Sequence, residues 1–323
     1  MLQPAAQRLY ASRRFTPAVE QAMDERYRVT RNAADTAMTP DALAEAAQGC
    51  EYLMVSLTEK VTADVISRLA PTLKVICTLS VGVEHLDLEA ARAAGIKVLN
   101  TPDVLSEATA EIAMMLLLGA ARRAGEGGRM IRDDAWRGFT PTQLLGQQLT
   151  GRRLGILGLG RIGKEVAKRA LPFGLKLHYH NRRPLPAEEA LGASYHATSD
   201  SLLAVSDIFC ITAPSTPELK SFLNAERIER LPKDAIVINV ARGDMVDDDA
   251  LIAALQSRRL FAAGLDVFRG EPDIDPRYRA LDNLFAVPHL GSGTVETRDA
   301  MGFLLLDGLS ALERGETPHN QLV

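Results

Sequence analysis

The sequence predicts two α/β domains built on parallel sheets, and three observations carry that reading. Short apolar runs alternate with helical stretches along the chain, the pattern of parallel crossover units. One strand opens into a Gly-rich turn, Gly158-Leu159-Gly160-Arg161-Ile162-Gly163, with a helix and a second strand after it. At 323 residues the chain has length for about two domains with buried cores.

In order, Glu51 to Leu57 and Leu73 to Leu79 read as buried strands, with a helix from Ala63 to Leu69 between them. A helix from Leu88 to Ala94 and a short strand from Ile96 to Leu99 complete a first α/β unit. A long helix, Glu107 to Ala124, leads to a polar stretch containing Trp136, Phe139 and Pro141. A second unit begins near Thr150 with a strand from Arg153, a helix from Lys164 to Leu171 and a strand from Leu175 to His180. Strands follow at Ile208–Thr212, Ala235–Val240, Ala262–Val267 and Leu284–Val287, the last running into Pro288-His289. An amphipathic helix, Val295 to Arg314, closes the pattern.

Composition narrows the class. Apolar content of 46% and charged content of 24% are ordinary for a soluble globular protein. A net charge of −4 gives no general attraction to nucleic acid or to an anionic membrane. Cys50, Cys77 and Cys210 are far apart and lie in or beside apolar runs, so they read as reduced core residues. Met1 to Ala6 lacks the apolar core of a signal peptide. The apolar run Ile112 to Ala121 is too short to cross a bilayer. A cytoplasmic enzyme is the expectation. The histidines His85, His178, His180, His196, His289 and His319 form no ligand cluster, so no metal is expected.

Gly158, Gly160 and Gly163 have the spacing for a tight turn, close backbone approach to a pyrophosphate and helix–strand packing. In such units an acid at the end of the second strand binds a ribose 2′-hydroxyl; here the chain reads His180-Asn181-Arg182-Arg183-Pro184. Guanidinium groups would make charge-assisted bonds to a 2′-phosphate, roughly 1.5–3 kcal/mol each. NADPH is therefore the expected cofactor, held at this end by Asn181, Arg182 and Arg183, with NADH the weaker alternative.

Three loops after strands carry candidate chemistry: Arg242, Glu271 and His289. Each alone is an ordinary loop residue. Together, beyond the carboxyl ends of parallel strands, they suit reduction of a 2-oxo acid. A guanidinium binds the carboxylate and polarises the ketone, an imidazolium protonates the new alkoxide, and a neighbouring carboxylate favours that imidazolium.

The chain resembles the D-isomer-specific 2-hydroxyacid dehydrogenases, nearest their glyoxylate/hydroxypyruvate reductase and glycerate dehydrogenase branch. The resemblance rests on the Gly-rich turn and on Ser80-Val81-Gly82-Val83-Glu84-His85-Leu86-Asp87, Asn100-Thr101-Pro102-Asp103-Val104-Leu105 and Ala108-Thr109-Ala110-Glu111. It continues through Ala213-Pro214-Ser215-Thr216-Pro217, Asn239-Val240-Ala241-Arg242-Gly243-Asp244, Gly264-Leu265-Asp266-Val267-Phe268 and Pro288-His289-Leu290-Gly291-Ser292.

The resemblance implies two Rossmann-like domains with parallel sheets and an active site in the interdomain cleft. Residues 1–100 plus 290–323 would form a flavodoxin-like substrate domain, and 101–289 the dinucleotide-binding domain. It implies that Arg242 binds substrate, Glu271 orients the histidine and His289 is the general acid/base. The Ser80-Val81-Gly82 turn, through Val81 and Gly82, would hold the substrate carboxylate. Leu57 would form the opposing wall, and Ser292 would lie near the hydroxymethyl end of hydroxypyruvate. Cofactor contacts would come from Thr109, Gly158, Gly160, Arg161, Ile162, Gly163, Ala213, Pro214, Thr216, Val240, Ala241, Asp266 and Gly291. A homodimer is implied, clasped through the cofactor domains by an arm near 125–150 that includes Trp136 and Phe139. Glu271 departs from the formate dehydrogenases, which carry glutamine in that role.

The expected reaction is NADPH-dependent reduction of glyoxylate to glycolate and of hydroxypyruvate to D-glycerate. One alternative keeps the chemistry and moves to a bulkier acid such as hydroxyphenylpyruvate. Another is a nucleotide-sensing binding protein like the corepressors that share this fold; such a sensor would bind the dinucleotide without turnover.

Overall fold

The computed structural model describes residues 7–323. Met1 to Ala6, on which the absence of a leader was read, lie outside the described residues. The chain divides into two compact units, one running to Leu105 and resuming at Gly293–Val323, the other spanning Ser106–Ser292.

The first unit contains β1 (Arg8–Ala11), α1 (Pro17–Arg26), β2 (Arg28–Arg31), α2 (Pro40–Ala46), β3 (Tyr52–Val55), α3 (Ala63–Leu69), β4 (Val75–Thr78), α4 (Leu88–Ala93) and β5 (Lys97–Leu99). Its sheet is wholly parallel, in the order β2-β1-β3-β4-β5. The central strands, Tyr-Leu-Met-Val and Val-Ile-Cys-Thr, are buried at every position, as strands covered on both faces must be. Side chains at Thr39, Thr62 and Asp87 accept the N–H three residues on and so start α2, α3 and α4. Tyr10, Leu43, Leu53, Ile66, Ile76 and Val98 fill the core on the side of α2, α3 and α4.

The second unit begins with α5 (Ser106–Ala121) and α6 (Ala124–Arg132). It continues through β6 (Arg153–Leu157), α7 (Arg161–Ala170), β7 (Lys176–His180), β8 (Ser194–Tyr195), α8 (Ser199–Leu203) and β9 (Ile208–Ile211). It ends with α9 (Ala225–Arg230), β10 (Ala235–Asn239), α10 (Asp248–Gln256), β11 (Leu260–Leu265) and β12 (Leu284–Ala286). The parallel sheet runs β12-β11-β10-β9-β6-β7-β8, so strand order reverses between β6 and β9. Ligands of doubly wound sheets collect beyond the carboxyl ends of strands at such a reversal. Alternate residues serve opposite faces: Ile208, Cys210, Ile236 and Ile238 join one core, while Phe209, Ile211 and Val237 join the other. The chain then returns to the first unit as α11 (Val295–Glu313), which packs on α1 and β4.

Several expectations need correction. The strands β1 and β2 carry no mark in the sequence pattern. Ser56 and Leu57 fall beyond β3 in a loop, and α7 starts at Arg161 rather than Lys164. The helix expected to run to Ala124 stops at Ala121, because Arg123 takes a left-handed conformation (φ 53°) and turns the chain into α6. The unit boundaries fall after Leu105 and Ser292. Thr101 N–H donates to Ser80 O at 3.0 Å and keeps the segment after residue 100 with the first unit. The N–H groups of Leu290 and Gly291 donate to the Asp266 carboxylate and keep 290–292 with the second.

Among the described residues no helix is long and apolar enough to cross a membrane.

Candidate active site

Three loops of the second unit converge beyond β10, β11 and β12. Asn239, 1% exposed at the end of β10, uses both ends of its amide: its oxygen accepts Ala241 N–H at 3.0 Å and its nitrogen donates to Arg242 O at 2.9 Å. That grip shapes the loop from which the Arg242 side chain extends. Gly243 follows because nothing larger fits. A Cβ there would lie 1.9 Å from the carbonyl carbon of Phe268, so the Arg242 loop and the loop after β11 touch backbone to backbone.

The loop after β11 bends so that Glu271 Oε1 accepts Phe268 N–H at 2.5 Å. The other carboxylate oxygen, Oε2, meets Nδ1 of His289 at 2.7 Å, with both side chains about a quarter exposed. His289 stands after β12 in a left-handed backbone conformation (φ 55°). Asp266 holds it there. The backbone oxygen of Asp266 accepts His289 N–H at 2.8 Å, and its carboxylate accepts Leu290 N–H at 2.5 Å and Gly291 N–H at 2.9 Å. Asp266 is 1% exposed. Burial pushes its carboxyl above the usual aspartate range, against the pull of the Leu290 N–H. Thr109 of α5 lies against the same point, since a Cβ on Gly291 would meet Asp266 Oδ2 at 3.0 Å and Thr109 Cγ2 at 3.4 Å. Ser292 follows, half-buried.

The Gly-rich turn sits at the strand reversal, after β6. Gly158 has φ 96°, and a Cβ there would strike Ala213 Cα at 2.6 Å. On Gly163 a Cβ would strike the Gly158 oxygen at 2.4 Å. Around Gly160 there is nothing within 4 Å, and the first turn of α7 has no side-chain cap. Two glycines are thus required by the protein's own packing, while the third leaves room above the start of α7, whose N-cap Gly160 supplies no side chain. That is the cradle an anionic pyrophosphate needs. Pro214 is exposed and Thr216 half-buried beyond β9; Val240 and Ala241 are buried beyond β10.

At the end of β7, Asn181 Oδ1 accepts Leu159 N–H at 2.7 Å, tying the strand end to the Gly-rich turn. Arg182 and Arg183 beside it are exposed. Glu218 is held below the usual glutamate range, first by a hydrogen bond from Thr216 and to a lesser degree by the Arg182 charge.

In the first unit, three carbonyls of the turn after β4 are held in place. Thr101 N–H donates to Ser80 O at 3.0 Å, Asn100 Nδ2 to Val81 O at 3.0 Å and Ser80 Oγ to Gly82 O at 2.7 Å. Among the described residues, the N–H groups of Val81 and Gly82 have no acceptor. Successive N–H groups left this way form an anion-binding concavity. Leu57, 40% exposed on the loop after β3, and Val81, 41% exposed on this turn, are large apolar side chains open to solvent.

The sequence pattern of the D-isomer specific 2-hydroxyacid dehydrogenase NAD binding domain matches residues 114–291, more than half of the chain. The chain belongs to the D-isomer-specific 2-hydroxyacid dehydrogenase family. Within it the chain falls in the glyoxylate/hydroxypyruvate reductase branch, and it is 45% identical to the glycerate dehydrogenase of Hyphomicrobium methylovorum over 90% of this chain and 91% of that protein. A solved structure from Polaromonas sp. JS6 66, assigned to the D-isomer specific 2-hydroxyacid dehydrogenases, is 57% identical with a TM-score of 0.96, covering 98% of this chain and 100% of that one. The NADPH-dependent glyoxylate/hydroxypyruvate reductase of Sinorhizobium meliloti, solved with NADP and malonate, is 31% identical with a TM-score of 0.87, covering 99% and 97%.

As a D-2-hydroxyacid dehydrogenase, the protein interconverts 2-oxo acids and 2-hydroxy acids with a nicotinamide dinucleotide. The structure brings Glu271, His289, Asp266, Thr109 and Gly291 together in the second unit and sets the Arg242 loop against the loop after β11, with Arg242 Nη1 donating to Ala241 O at 2.8 Å; Val81 and Gly82 share one turn of the first. Two supports went unread in the sequence. Asn239 shapes the Arg242 loop, and Asn100 shapes the Val81 turn. Their shared signal is an amide closing an apolar strand, a buried polar side chain whose NH2 group bonds a carbonyl of the loop it shapes.

Proposed function

We propose that this dehydrogenase reduces small 2-oxo acids, glyoxylate and hydroxypyruvate, with NADPH, and that His289 is its general acid. The supporting observation is the 2.7 Å bond between His289 Nδ1 and Glu271 Oε2. With Nδ1 engaged by a carboxylate, Nε2 is the nitrogen that hands a proton to the ketone oxygen, and Glu271 holds the ring in that orientation. The guanidinium of Arg242 binds the substrate carboxylate and polarises the carbonyl. On the first unit, the Val81 and Gly82 N–H groups take a carboxylate oxygen, Leu57 forms an apolar wall, and Ser292 of the second unit meets the hydroxymethyl end of hydroxypyruvate.

The dinucleotide supplies the hydride, and the Gly158–Gly163 cradle, Thr109, Ala213, Pro214, Thr216, Val240, Ala241, Asp266 and Gly291 hold it. Arg182 and Arg183, where an acid would repel a 2′-phosphate, support NADPH over NADH. The Sinorhizobium relative is described as NADPH-dependent, which agrees with this choice.

A homodimer is part of the reading. The second unit exposes Ile131, Trp136, Phe139 and Leu145 on the arm, with Phe139 at 85%. It also has an open apolar groove formed by Met114, Met115, Leu118, Pro172, Phe173 and Phe285. Apolar area of this kind marks association surfaces.

Steady-state oxidation of NADPH and NADH, each with glyoxylate, hydroxypyruvate, pyruvate and hydroxyphenylpyruvate, tests the assignment. Fast turnover of NADPH with the two small acids is expected. Preference for the aromatic acid would change the substrate and keep the mechanism. Dinucleotide binding without turnover would replace the enzyme with a sensor.

A further inference from the structure

Glu59 lies in a stretch, Thr58-Glu59-Lys60, that reads as polar surface, yet it is 0% exposed. Its carboxylate accepts four hydrogen bonds, all from two loops. Oε2 takes Ser12 Oγ at 2.8 Å, Ser56 N–H at 3.1 Å and Ser56 Oγ at 3.1 Å, while Oε1 takes Thr58 Oγ1 at 2.8 Å. Ser12, itself 0% exposed, follows β1; Ser56 and Thr58 follow β3. Arg13 Nη1 stands off at 3.9 Å, so hydroxyl and backbone donors satisfy most of this charge.

The position of this acid is telling. In the order β2-β1-β3-β4-β5 the chain leaves β1 and β3 in opposite directions, and their helices lie on opposite faces, α1 against α11 and α3 against α2 and α4. Loops diverging at such a reversal leave a crevice. Here the buried carboxylate fills it and bonds both loops. Burying a charge is costly, and an apolar filler would stabilise the fold at least as well. What the acid adds is control of the residues on either side of Leu57. Ser56 and Thr58 are bound to the same carboxylate, and Thr58 N–H donates to Ser56 Oγ at 3.3 Å, while Leu57 between them stays 40% exposed.

We propose that Glu59 is a positioning residue for substrate: it fixes the backbone on both sides of Leu57 and thereby sets the apolar wall that meets the 2-oxo acid. This rests on the reading of Leu57 as part of the substrate site. The test compares Glu59→Ala, Glu59→Gln and Leu57→Ala in the full-length enzyme. KM and kcat are measured with glyoxylate and hydroxypyruvate, and the NADPH Kd by fluorescence titration.

Glu59→Ala should raise the substrate KM about tenfold, with kcat and the NADPH Kd within about twofold of the parent. Glu59→Gln keeps an acceptor for Ser12 and Ser56 and should recover most of that loss. A merely structural role would instead reduce the active fraction, lowering kcat at unchanged KM, and that result overturns the proposal. If Leu57→Ala raises KM and folded Glu59→Ala does not, the proposal fails while the reading of Leu57 stands. If neither moves KM, the reading of Leu57 fails and takes the proposal with it. Should Glu59→Ala not fold, Ser56→Ala decides: it removes one donor and should raise KM about two- to threefold, and an unchanged KM overturns the proposal.

Discussion

The carboxylate of Asp266 accepts the backbone N–H groups of Leu290 and Gly291, and its backbone oxygen accepts that of His289, so one residue holds three consecutive residues of the histidine loop. Asparagine in its place offers one acceptor and turns an NH2 group toward a backbone N–H. Asp266→Asn should lose about 1–3 kcal/mol of stability and a larger share of kcat than of NADPH affinity. Thermal unfolding and single-turnover kinetics on the same preparation check both.

His289→Ala removes the proposed proton donor without touching the cofactor cradle. It should lower kcat by about 10²- to 10⁴-fold with little change in NADPH Kd. Glu271→Gln keeps a hydrogen-bond acceptor for Nδ1 and loses the charge, so it should fall between His289→Ala and the parent. Near-normal turnover in the alanine variant would take His289 out of the mechanism.

Changing Arg182 and Arg183 together to Ala should raise the KM for NADPH by about tenfold or more while leaving that for NADH near its parent value. Equal effects on the two cofactors would rule out a 2′-phosphate role for the arginines.

The glycines separate packing from binding. Gly243→Ala forces a Cβ to within 1.9 Å of the Phe268 carbonyl carbon and should cost several kcal/mol, visible as a large fall in Tm. Gly160→Ala meets nothing in the protein and should leave Tm within a few degrees while weakening NADPH binding.

His178 Nδ1 lies 3.0 Å from His196 Nε2, and burial holds both imidazoles below the usual histidine value of about 6.5. The unfolded chain therefore takes up protons before the folded one as pH falls. The stability tied to this pair is present above about pH 6.5 and is lost as pH drops below it. Tm measured from pH 8 to 5.5 should fall, and a His178→Gln/His196→Gln variant should fall less steeply.

Much of the site could be read because it depends on local chemistry. The Gly158–Gly163 spacing, and polar residues stationed just past apolar strands, are visible in one dimension. What escaped reading depends on long-range partners. Arg8–Ala11 and Arg28–Arg31 are four-residue strands beginning with arginine, and they pair across intervening α1. The segment Ala124–Arg132 has three glycines in nine residues, a poor helix former by propensity, yet it forms a helix beginning at the left-handed Arg123, whose guanidinium bonds Glu126 at 2.6 and 2.8 Å. Glu59 is the clearest case: Thr-Glu-Lys describes a solvated loop until Ser12, more than forty residues away, comes to its carboxylate.

Arg242, Glu271, Asp266 and His289 all stand on the unit spanning Ser106–Ser292, whereas Leu57, Val81 and Gly82 stand on the other. Glu271 and His289, assigned to proton movement, are therefore under mutational control separate from Leu57, Val81 and Gly82, while Arg242 serves the acid from the same unit as the histidine. On that assignment, substitutions at residue 57 can trade one side group of the acid for another while the histidine and its carboxylate keep their spacing. A lineage built on this chain could explore new acids without rebuilding its reaction, and laboratory evolution toward a bulkier substrate should accumulate its first changes at residues 57 and 292.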